Sequence, residues 1–110
     1  MKPSAYIAGP VSGIFDDNRP MFEAARERLR AAGWLPIVPL DFTREIVSAY
    51  GQCPALVWCL CMVKVLPLLE AADAIFLLPG WESSRGATRE HDLALDMGKP
   101  VLVAGRGIQA

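Results

Sequence analysis

Apolar residues along this chain fall into two periods. Ala5-Tyr6-Ile7-Ala8, Trp34 to Val38, Ala74 to Leu78 and Pro100 to Ala104 are short apolar runs that read as strands. Between them the spacing becomes helical. Phe22, Ala25, Leu29 and Ala32 recur at intervals of three and four, with Arg and Glu filling the other face. Asp16-Asp17-Asn18 offers capping side chains, Pro20 suits an early helical position and Gly33 closes the helix. Pro36 interrupts the second strand and assigns it to a sheet edge. Pro39-Leu40-Asp41 reads as a turn, and Phe42 to Tyr50 as either a short helix or an ordered loop. Ala55 to about Glu70 is an almost wholly apolar helix in which Pro67 makes a kink or marks the end. A last helix buries Ala87, Leu93, Ala94 and Met97, and Gly98 closes it.

Strands alternating with helices predict a doubly wound α/β domain of flavodoxin or Rossmann type, spanning residues 1–110. Right-handed crossovers give a parallel four-stranded sheet in the order 2-1-3-4, covered on both faces. Ligands of such sheets sit beyond the carboxyl ends of the strands, where the order reverses. Here that point lies between the first and third strands. It brings the loop Gly9-Pro10-Val11-Ser12-Gly13 against the turn Pro79 to Gly86, with Glu90 just behind. The first loop is not a dinucleotide fingerprint, because the third glycine of G-x-G-x-x-G is missing and the helix begins too late.

Composition narrows the classes. The net charge is −1 and no Lys/Arg-rich run occurs, which argues against a nucleic-acid partner. Met1-Lys2-Pro3-Ser4 leads straight into a strand, so no signal peptide is expected and the expected location is cytoplasmic. Pro54 to Leu69 is the most apolar stretch, yet it is short for a membrane span and contains Lys64 and Pro67. It is expected to be a buried helix, in part at a contact between copies of a homo-oligomer. Cys53, Cys59 and Cys61 lack metal-ligand spacing and are expected to be buried, reduced thiols, with no metal and no cofactor.

Glu90 is the residue with chemistry to offer. Helix N-termini carry unpaired N–H groups and partial positive charge, which would favour an ionised carboxylate there. Such a carboxylate beside a wet turn can act as a nucleophile. The plain alternative is an ordinary carboxylate at a helix start. Gly80 and Gly86 allow a close backbone approach to a ligand in that turn.

Tyr6-Ile7-Ala8-Gly9-Pro10, followed by Leu78-Pro79-Gly80-Trp81-Glu82-x-Ser84-x-Gly86-Ala87-x-x-Glu90, resembles the nucleoside 2-deoxyribosyltransferase superfamily, closest to a small uncharacterised bacterial and phage branch. The resemblance implies a doubly wound sheet and cleavage of the N-glycosidic bond of a deoxynucleoside or its monophosphate. It makes Glu90 the nucleophile that attacks C1′, as a carboxylate does in a retaining glycosidase. Tyr6 would hydrogen-bond that carboxylate, and Ser84 would touch the sugar or its phosphate. Trp81 is a candidate to stack on a base. Tyr6 is equally readable as a strand aromatic, Ser84 as a helix N-cap and Trp81 as a lid on the core.

Two departures stand out. The superfamily's Asp that helps protonate the leaving base is replaced by Val65. General acid catalysis is typically worth 10²–10⁴-fold. In the first loop, monophosphate hydrolases carry a Ser and an Arg for the phosphate, where this chain has Pro10 and Ser12. His91 is expected at the surface, and Glu82 and Asp92 solvated or paired with Arg85 and Arg89. Three readings stay open: an N-glycosidic enzyme, a binding protein for a nucleoside or nucleotide on the same fold, and a small module that self-associates through its apolar helix.

Overall fold

The computed structural model describes residues 1–11 and 14–104. Four parallel strands form one sheet: β1 (Ser4–Ala8), β2 (Leu35–Ile37), β3 (Ala74–Leu77) and β4 (Val101–Val103), in the order β2-β1-β3-β4. This is the predicted doubly wound order. Its helices are α1 (Arg19–Ala31), α2 (Leu40–Tyr50), α3 (Pro54–Ala71) and α4 (Arg85–Asp96).

Strand alternation divides the core into two layers. Ala5 and Ile7 of β1 face α1, where Phe22, Ala25 and Leu29 meet them together with Phe76 and Leu78. Tyr6 and Ala8 point the other way, into a layer formed by Val65 and Leu69 of α3 and by Ala87 and Ala94 of α4. The residue after each core position of β1 thus belongs to the opposite face, which sends Tyr6 toward α4. β2 is an edge strand, and Pro36 is tolerated there. Asp73 ties the start of β3 to β1, its carboxylate accepting from the Ser4 amide at 2.7 Å.

Several expectations need correction. Residues 39–41 do not form a separate turn, because Pro39 has helical backbone angles and leads directly into α2. The ambiguous stretch after it is helical throughout. Asn18 precedes α1 but makes no capping bond. Its side-chain amide instead donates to the Pro10 carbonyl at 2.9 Å, fastening the β1 loop to the helix start. Gly33 and Gly98 do follow their helices with positive φ.

The largest correction concerns α3. It has 18 residues with mean hydropathy 1.7, long and apolar enough by that measure to cross a membrane, yet only 11% of it is buried. Val65 and Leu69 alone are fully inside. One stripe covers the sheet and the remainder faces outward, with Val63 72% exposed. The same geometry overturns the expected burial of the thiols: Cys53 and Cys59 are exposed and Cys61 is half-buried. The helix runs through Pro67, and the Lys99 ammonium closes its end by donating to the Glu70 and Ala72 carbonyls at 2.9 and 2.5 Å.

Candidate active site

Strand β3 ends at Leu77, and its chain crosses over the end of β1 before entering α4. At this crossing the backbones almost touch. A Cβ on Gly9 would lie 2.7 Å from Leu78 Cβ, so no larger residue fits without displacement. Gly80 has φ +85 and sits against Pro10. The start of the first loop, Gly9-Pro10, and the second turn are therefore packed together, as the strand order requires. Ser12 lies outside the described residues.

Above this floor opens a cleft of ≈ 960 Å³. One wall carries Gly9, Pro10, Ser84, Gly86 and Glu90, and a stripe of α2 and α3 supplies the other. Tyr6 reaches Glu90 from beneath: its hydroxyl donates to the Glu90 carboxylate, both side chains being buried. Glu90 is the sixth residue of α4, beyond the turn in which the helix-terminal field is strong. Burial dominates instead and raises its pKa to about 7, against the lowering effect of the Tyr6 hydroxyl. The expectation of a helix-stabilised ionised carboxylate is thus reversed. Tyr6 is itself pushed well above its ordinary value by burial and then by the Glu90 charge, so it remains a donor.

Ser84 lines the cleft and also caps α4, its hydroxyl accepting from the Ala87 amide at 3.2 Å. Gly80 and Trp81 are placed outside the cleft lining. Trp81 packs on the core layer beneath α4, and the His91 ring covers it at 4.4 Å. His91 is therefore half-buried rather than superficial, and Asp92 meets it at 3.1 Å. Arg85 pairs with neither Glu82 nor Asp92; its guanidinium lies 3.7 Å over the ring of Trp58.

Trp58 lines the cleft together with Phe22, and its buried Nε1 has no hydrogen-bond partner among the described residues. Val65 lines the cleft where the resemblance would put an acid, and Cys61, one turn earlier, lines it too. Burial pushes the Cys61 thiol up. Arg19, Thr43, Arg44 and Trp58 also line the cleft, although no sequence motif marks them. The signal available for two of them was the helical spacing of α2, which puts Leu40, Thr43, Arg44 and Val47 on one face. That spacing marks a face only if the segment is helical, and Phe42 to Tyr50 reads equally as a helix or an ordered loop. Among the described residues, His, Cys, Asp and Glu form no group of three or more fit to hold a metal ion.

The site thus joins a buried carboxyl–phenol pair to an open cleft with an aromatic and several basic side chains. No curated protein matches the chain. Residues 3–103 match the family profile described as a domain of unknown function, DUF4406, and the chain belongs to that family.

Proposed function

We propose that the protein cleaves the N-glycosidic bond of a deoxynucleoside or its monophosphate, with Glu90 as nucleophile. The observation that carries this reading is the buried Tyr6–Glu90 pair at the floor of a cleft large enough for such a ligand. The resemblance of the Tyr6 and Leu78-to-Glu90 motifs to the nucleoside 2-deoxyribosyltransferase superfamily supports it independently.

In this reading the ionised Glu90 attacks C1′ and forms a C1′–O ester as the C1′–N bond breaks. The base leaves with the bonding electron pair and takes a proton from water in the cleft, since Val65 offers none. Tyr6 holds the carboxylate in line and steadies its charge. Water or a second base then attacks C1′, displacing Glu90 as carboxylate and completing hydrolysis or transfer. The same reading has the protein act in the cytoplasm on a small nucleoside or nucleotide, with copies meeting on the outer face of α3. A silent ligand-binding protein on this fold is the second reading, favoured by Val65 in the acid's place.

Mass spectrometry of protein quenched during turnover tests the covalent step. The expected result is a deoxyribosyl adduct on the peptide containing Glu90. An adduct elsewhere, or base release with no adduct at any quench time, would count against Glu90 as nucleophile.

A further inference from the structure

The cleft is basic as well as apolar. Arg19 of α1, Arg44 of α2 and Arg85 of α4 all line it, against Asp17 and the buried Glu90. None of the three guanidiniums forms an ion pair among the described residues, whereas Arg26 and Arg30 of α1 are held by Glu23, Asp41 and Glu27. Arg85 is kept in the cleft wall by the Trp58 ring. Thr43, next to Arg44, lines the cleft, and its side chain makes no hydrogen bond among the described residues, which leaves the hydroxyl open to a ligand.

From these residues we propose that the cleft binds its ligand through a phosphate group held by Arg44, Arg85 and the Thr43 hydroxyl, with Arg19 adding positive charge. The inference rests on the proposed reading for the remainder of the ligand but not for the anion. Guanidiniums bind carboxylate and phosphate alike, but a carboxylate presents two oxygens in one plane. A phosphate ester presents three, diverging toward donors that come from separate helices. The grip is supplied by α2 and the start of α4, and the first loop, with Pro10 in place of a basic residue, is not needed for it. The substrate is therefore a phosphate ester of a nucleoside rather than the free nucleoside.

Calorimetry on full-length Glu90→Gln, which binds without turnover, decides this. Each deoxynucleoside is compared with its 5′-monophosphate at fixed ionic strength, and orthophosphate and pyrophosphate are titrated alone. The monophosphate is expected to bind at least about tenfold tighter than its parent nucleoside, as one charge-assisted contact would give. Adding Arg44→Gln or Arg85→Gln should erase roughly tenfold of that preference and leave nucleoside affinity unchanged. Thr43→Val, which keeps the charge and the shape, should weaken only the phosphorylated ligand. Equal affinities for nucleoside and monophosphate would overturn the phosphate site while leaving the deoxynucleoside reading standing. Orthophosphate or pyrophosphate binding through the same arginines, with no affinity for any nucleoside or monophosphate, would keep the anion site and remove that reading. No binding of any of these compounds would remove both.

Discussion

Glu90 carries two roles that pull against each other. A nucleophile must be ionised, while burial raises its pKa to about 7. Turnover is therefore expected to rise with pH through about 7 and then level off, and a rate profile from pH 5 to 9 checks it. The same shift has a consequence for stability. The folded value lies above the ordinary 4.5, so the native state holds the proton more tightly than the unfolded chain between those pH values. Stability from this group is complete below about pH 4.5 and declines as pH rises to about 7, by about 3 kcal/mol for a shift of this size. Glu90→Gln, which cannot ionise, should match the wild type near pH 4 and exceed it by up to that amount at pH 8 in urea denaturation. A constant difference across the range would contradict the burial argument. Gly9 makes the opposite kind of demand. Its missing Cβ is what lets the β1 loop pass Leu78, so Gly9→Ala should cost about 1–3 kcal/mol by overpacking, seen as a lowered denaturation midpoint.

Helix ends carry the next level of the design. Lys99 reaches back from the start of β4 to the last carbonyls of α3, and Lys99→Met should cost about 1 kcal/mol and speed amide exchange in the final turn of α3. Gly86, inside the first turn of α4, has room for a methyl group, since a Cβ there would meet Met62 and Trp58 at 3.6 and 3.8 Å. Gly86→Ala should then stabilise the fold by about 0.5–1 kcal/mol and weaken ligand binding by narrowing the cleft, which thermal melts with and without ligand would separate. Much of this level was legible in the sequence. Strand alternation sends Tyr6 to the face opposite Ala5 and Ile7, and the strand order brings it to Glu90. The helical stripe of α1 is likewise plain in Phe22, Ala25 and Leu29. The start of α2 was hidden because Pro39 reads as punctuation while its fixed φ suits a helix start. Arg19, Arg44 and Arg85 share no local pattern, so nothing short of the packed molecule shows that they line one cleft.

At the scale of the whole molecule, α3 explains both the site and the surface. Its inner stripe puts Val65 and Leu69 in the same core layer as Tyr6 and so helps bury the Tyr6–Glu90 pair, which α4 alone does not do. Its outer stripe leaves Leu56 and Val63 exposed. The cleft lies between this helix and the loops at the strand ends, where a doubly wound sheet holds its ligands. The most direct measurement is chromatographic. Wild type and Glu90→Ala are incubated with each deoxynucleoside and each monophosphate, with and without a second free base, and the bases are separated. The account predicts base release from a monophosphate by the wild type and none by Glu90→Ala. Release undiminished in Glu90→Ala, or no release from any of these compounds, would contradict it.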